Sequence, residues 1–132
     1  MRKLDENTFV SVRQLTVADV DEAAAQGIRL IVNNRPDGEE PGQPSSAEIE
    51  AAARAAGLDY RHIPVAGAFP AEQVEAMARA IEQGPVLAYC RSGTRSAFLW
   101  ALARARRGAP AGESVAAAAA AGYDLRPILA RL

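Results

Sequence analysis

The junction around Cys90 constrains this chain more than any other stretch. An apolar run, Pro85-Val86-Leu87-Ala88-Tyr89, leads into Cys90-Arg91-Ser92-Gly93-Thr94-Arg95-Ser96, and an alanine- and leucine-rich segment from Ala97 to Ala105 leads out. That order reads as strand, tight loop and helix, with the cysteine at the strand's end. A thiol placed there faces a helix N-terminus and two arginines, all of which favour the thiolate. Cys90 is the chain's single cysteine, so it makes no internal disulfide. A lone thiol fits a reducing compartment and a sulfur kept for chemistry.

The rest of the sequence reads as scaffold for that loop. Phe9–Arg13 alternates apolar and polar residues as a short strand does. Thr16 and Asp19 form a capping box ahead of a helix that Gly27 stops, and Ser45 and Glu48 form another ahead of a helix that Gly57 stops. Strands are expected at Ile28–Asn33 and Leu58–Ile63, and a helix with Pro70 at its first position follows. Alternation of strands and helices predicts an α/β fold with a central, mostly parallel sheet of four to five strands between two helical layers. Residues 1–132 read as a single domain, with a core over about 8–108 and a C-terminal helical appendage over about 111–132. Between strands, Asn34 to Pro44 carries three prolines and two glycines, a composition that marks an ordered functional loop. Sites in parallel sheets form at the carboxyl ends of strands, so this loop and Cys90 are expected to face one another.

The loop's chemistry follows from its residue types. Residues 91 to 96 can aim successive backbone N–H groups at the sulfur, with Gly93 supplying the conformational freedom for the turn. Arg95, in the closing turn, is the candidate catalytic partner of Cys90. Arg91, Ser92, Gly93, Thr94 and Ser96 are candidate anion-binding residues, and Asn34, Arg35 and Asp37 are candidate cleft residues. This arrangement suits nucleophilic attack by sulfur on an anionic substrate through a covalent cysteinyl intermediate. His62, the one histidine, reads first as a strand residue. One histidine and one cysteine leave no usual zinc ligand set, and neither a metal nor a cofactor is expected. A net charge of −1 gives no field for nucleic acid or a membrane surface. No apolar stretch approaches the ~20 residues of a membrane span, and the start of the chain has no apolar signal region. A cytoplasmic protein is expected.

Cys90-Arg91-Ser92-Gly93-Thr94-Arg95 resembles the Cys-Arg-x-Gly-x-Arg loop of rhodanese-type sulfurtransferases. The surrounding chain is similar to the phosphatase-like domain of the β-lactamase-hydrolase-like family. That likeness rests on Ile31–Glu39, Pro41–Ser45, Tyr60–Val65 and the strand-loop-helix around Cys90. It implies a dual-specificity-phosphatase-like fold, and members of that family are often labelled sulfurtransferases and stand beside a persulfide dioxygenase. Cysteine phosphatases use Cys-x5-Arg, which from Cys90 would put arginine at position 96. Here Ser96 stands there and the spacing is Cys-x4-Arg. The aspartate that dual-specificity phosphatases place shortly after the strand matching Tyr60–Val65 is replaced by Ala66-Gly67-Ala68-Phe69, which leaves Asp37 as the substitute acid. The shorter loop suits a sulfane sulfur better than a tetrahedral phosphoryl group, and the missing acid suits a leaving group that needs no proton, so both departures favour sulfur transfer over phosphoester hydrolysis. The expectation is therefore a sulfurtransferase that passes sulfane sulfur from thiosulfate, a persulfide or a polysulfide to a thiol such as glutathione through a Cys90 persulfide. The alternatives are a cysteine-based phosphatase with a Cys90 phosphocysteine, and a module that carries a persulfide or senses oxidants.

Overall fold

A computed structural model describes residues 1–132. The strands are β1 (Arg2–Asp5), β2 (Thr8–Val10), β3 (Leu30–Asn33), β4 (Asp59–His62) and β5 (Val86–Tyr89). The helices are α1 (Val17–Ala25), α2 (Ser46–Ala55), α3 (Ala71–Ile81), α4 (Thr94–Arg106) and α5 (Ala111–Ala120), and a 3-10 turn closes the chain at Arg126–Arg131. One sheet runs in the order β1-β2-β5-β3-β4, with only β1 antiparallel to its neighbour. This is the expected three-layer α/β/α arrangement.

Period-two alternation divides the sheet's side chains between two cores. Leu30, Val32, Val86 and Ala88 pack with α3, α4 and the C-terminal segment. Ile31, Leu87 and Tyr89 point the other way, into a smaller core with α1 and α2. β5 is the middle strand and is buried along its whole length. α4 is buried over Ala97 and Leu99 to Ala103, and Trp100 Nε1 donates to Asp5 Oδ2 at 3.1 Å. Each such large apolar side chain contributes roughly 1.5–3 kcal/mol on burial, so the loop between β5 and α4 is fixed at both ends.

Four features depart from the sequence reading. β1 was not anticipated, because its four residues bury only Leu4 and so show no alternation. β2 starts at Thr8 and stops at Val10, short of Arg13, since the Ser11 hydroxyl donates to the Arg13 carbonyl at 2.6 Å and turns the chain. The C-terminal segment is more than an appendage: Ala118, Ala121, Tyr123, Leu125 and Ile128 belong to the larger core. Both capping boxes form as read, Thr16 with Asp19 and Ser45 with Glu48. Pro70 is the cap residue of α3 and not its first helical residue.

Strand order reverses between β3 and β5. The chain leaves β3 for β4 on one side, then crosses to β5 on the other. Such a switch point opens a crevice at the strands' carboxyl ends, and the Cys90 loop and the Asn34–Pro44 loop both emerge there.

Candidate active site

Cys90 follows β5 directly and is 1% exposed. Gly93 sits at the N-cap of α4 with φ +94, a left-handed conformation that glycine adopts without strain. That turn points the Gly93 N–H at Cys90 Sγ, 3.1 Å away. Burial alone would push the thiol pKa up. The backbone N–H groups of Ser96, Ser92 and Gly93 outweigh burial, so the thiol lies below its ordinary value. Sγ thus takes the place of a capping side chain at the start of α4, receiving donors that the helix cannot use itself. This is the geometry of a thiolate nucleophile and of an oxyanion cradle built from backbone.

Arg95 lies in the first turn of α4, where its guanidinium is part-buried. It holds Glu39 with two hydrogen bonds, Nη1 to Oε2 at 2.7 Å and Nη2 to Oε1 at 2.8 Å. Nη1 also donates to the Val65 carbonyl at 2.9 Å. Arg95 is therefore positioned by both facing loops, and the negative sulfur beside it further favours its charge. Glu39, absent from the sequence-derived candidates, is held at about 2, chiefly by its hydrogen bonds to Arg95 and then by Arg35, against the opposing effect of burial. Its only sequence signal was its place in the Asn34–Pro44 loop.

The candidate cleft residues divide differently from the expectation. Asn34 is fully buried, donates from Nδ2 to the Ile63 carbonyl at 2.9 Å and accepts from the Ser96 hydroxyl at 2.7 Å. A hydroxyl has one proton, so Ser96 cannot donate to Asn34 and to sulfur at once. Arg35 is 1% exposed and bonds Glu39, Glu40 and Gln14, so it ties down its own loop and presents no guanidinium to solvent. Asp37 Oδ1 accepts the Ser46 N–H at 2.7 Å, at the N-terminus of α2, where a carboxylate suits the helix dipole. Arg35 is thus not an open cleft group, whereas Asp37 is exposed with one oxygen on the helix end. Arg91, Ser92 and Thr94 are exposed at the rim, with the Ser92 and Thr94 hydroxyls 3.3 Å apart. His62 Nε2 lies 2.9 Å from the Arg35 carbonyl, so its contact is with backbone, as a strand residue's would be.

Residues 1–107 match the model of the phosphatase-like domain of β-lactamase hydrolase-like proteins. The chain belongs to that family. A β-lactamase hydrolase-like protein from Xylella fastidiosa is 41% identical over 130 residues, covering 95% of this chain and 30% of the relative. The chain spans between 23% and 30% of the length of the curated relatives it matches. A solved structure from Neisseria meningitidis, described as a candidate phosphatase, is 42% identical, with a TM-score of 0.84 over 98% of this chain and 94% of that one. The active form of Tk-PTP superposes with a TM-score of 0.74 over 98% of this chain and 90% of its own at 21% identity, a likeness of fold. The domain is thus phosphatase-like in family and in fold. No helix is long and apolar enough to cross a membrane.

Proposed function

We propose that this domain is a cysteine-dependent phosphatase acting on small phosphoesters or phosphoanhydrides. The reading rests on Cys90 Sγ lying among backbone donors at the start of α4, within a phosphatase-like family domain whose solved relative is described as a candidate phosphatase. It reorders the expectation from sequence, in which sulfur transfer came first, because those descriptions support phosphatase chemistry.

In this reading the Cys90 thiolate attacks phosphorus, forming an S–P bond as the bond to the leaving oxygen breaks. The leaving group takes the electron pair. Loop N–H groups and Arg95 hold the outer phosphoryl oxygens, Glu39 having given up Arg95 to the incoming anion. Water then attacks phosphorus, the S–P bond breaks, and inorganic phosphate and the thiolate are released. In the resting site Glu39 is ionised on Arg95 and Arg35, and Asp37 Oδ1 accepts the Ser46 N–H, so no carboxyl is seen donating a proton into the Cys90 pocket. The preferred substrates are therefore those whose leaving group departs as a stable anion, such as aryl phosphates and anhydrides, over alkyl esters.

One observation supports a second reading. The Cys-x4-Arg spacing makes a smaller ring of donors than Cys-x5-Arg, and a smaller ring suits a single sulfane sulfur on Cys90. In that reading thiosulfate or a persulfide is the donor, a thiol such as glutathione the acceptor, and a persulfide dioxygenase the neighbouring activity. Turnover of para-nitrophenyl phosphate by the wild type and by Cys90→Ser separates the two. The phosphatase reading expects release of nitrophenolate that vanadate inhibits and that falls at least roughly a thousandfold in the variant, as loss of a covalent nucleophile does. A gain of about 32 Da on Cys90 after thiosulfate, with no turnover of the ester, would overturn it.

A further inference from the structure

We infer that Tyr123 is a positioning residue for the nucleophile, holding the Ser92–Gly93 peptide in the orientation that aims its N–H at Cys90. The Tyr123 hydroxyl donates to the Ser92 carbonyl at 3.1 Å, and the Gly93 N–H donates to Cys90 Sγ at 3.1 Å. These two bonds belong to one peptide unit. In a trans peptide the C=O and N–H point in opposite directions, so fixing the carbonyl outward fixes the N–H inward. A flip of that peptide would present a carbonyl oxygen to the thiolate instead of a donor. A hydrogen bond accepted by the carbonyl also polarises the amide and strengthens its N–H as a donor.

The tyrosine is itself firmly seated. It is 8% exposed and packs within the larger core. The Arg2 guanidinium lies 5.8 Å from its ring centroid, and Arg2 Nη1 donates to the Ala121 carbonyl at 2.8 Å. The Tyr123 N–H donates to the Ala118 carbonyl at 2.8 Å, which closes α5. A Cβ on Gly93 would run into the Tyr123 hydroxyl and would lie 2.7 Å from the Ser11 carbonyl, so the loop, the turn after β2 and Tyr123 meet with no space between them.

The inference rests on Cys90 being the nucleophile, which both readings of the site share. Its test follows the rate of Cys90 alkylation by iodoacetamide against pH, in the wild type, Tyr123→Phe and Tyr60→Phe. Tyr123→Phe removes only the hydroxyl. Its midpoint should rise by about one pH unit, the scale of one hydrogen bond to an ionised group. The Gly93 amide should also exchange faster with deuterium. Tyr60→Phe removes a hydroxyl that bonds Asn33 and Ser46 in the smaller core, so it should lower the melting temperature and keep the wild-type midpoint. An unchanged midpoint in Tyr123→Phe, or an equal shift in Tyr60→Phe, overturns the inference. Placing 3-fluorotyrosine at position 123 keeps the shape and strengthens the donor, so it should lower the midpoint. A midpoint unchanged there is equally decisive, and that arm remains if Tyr123→Phe does not fold. Alkylation reports on the thiol whatever it transfers, so a flat result removes Tyr123's role and leaves the phosphatase reading to its own assay.

Discussion

The Cys90 loop is held from two sides by different physics. On the crevice side, Arg95 and Arg35 share Glu39, and the bonds are ionic. On the outer side, Tyr123, Ser11 and the Gly93 backbone meet through neutral groups at close range. The ionic side is reversible, because an incoming anion can replace a carboxylate on an arginine fork. The neutral side has no such competitor, and its tight packing leaves no room to shift. A site that must grip a charged substrate while keeping its sulfur donors fixed needs one contact that exchanges and another that does not.

The largest effect is expected where the neutral side is tightest. Gly93→Ala places a side chain at φ +94 and against both the Tyr123 hydroxyl and the Ser11 carbonyl. Left-handed strain and overpacking are each about 1–3 kcal/mol, so a loss of roughly 3 kcal/mol in urea unfolding is expected, with loss of turnover. The comparison sharpens in the double variant. Removing the hydroxyl with Tyr123→Phe takes away the nearest of three close atoms and leaves the Ser11 carbonyl at 2.7 Å and the ring Cζ at 2.9 Å, so Gly93→Ala should be somewhat less damaging there than in the wild type. Simple additivity would mean that the strain lies in the backbone alone and that the outer side is not a packed stop.

This division also explains what the sequence let one see. The strand-loop-helix around Cys90 was legible because an apolar run, a glycine and an alanine helix are local signals. The two capping boxes were legible for the same reason. Facing of the two loops followed from strand alternation. The partners of the loop were not legible. Glu39 stands 56 residues before Arg95, and Tyr123 stands 31 after Ser92, so neither pairing has a local pattern. Arg35 and Asp37 were read as cleft groups because polar residues in a long loop invite that, whereas the fold gives Arg35 three partners within 1% exposure and gives Asp37 to a helix end. β1 stayed hidden because an edge strand with one buried residue has nothing to alternate.

A smaller effect is expected on the ionic side. Glu39→Gln keeps the shape and removes the charge that competes for Arg95. Inorganic phosphate should then inhibit more tightly by roughly threefold, the scale of one part-exposed ion pair. Arg35 keeps Glu40 and Gln14, so the variant should still fold. Unchanged phosphate inhibition would mean that Glu39 orients Arg95 without blocking it, and the two sides would then differ in charge but not in reversibility.

The smallest effect is the acid dependence of the same contact. Glu39 is held at about 2 in the folded chain, against an ordinary 4.5. A depressed carboxyl binds its proton more readily unfolded than folded, so its contribution is fully present above about pH 4.5. It is lost as pH falls from there through about 2. The Glu39 side chain is 27% exposed, and solvent screens it, so the contribution is only ~1 kcal/mol. Asp19, Glu75 and Asp124 also lie below their ordinary values, and acid weakens the wild type through them as well. Subtracting the Glu39→Gln urea curve from the wild-type curve at pH 6 and at pH 3 isolates Glu39. The difference between the two proteins should shrink at pH 3. Tyr123→Phe removes no charge, so its deficit should stay the same at both pH values. Equal pH dependence in the two variants would erase the distinction between an ionic and a neutral side.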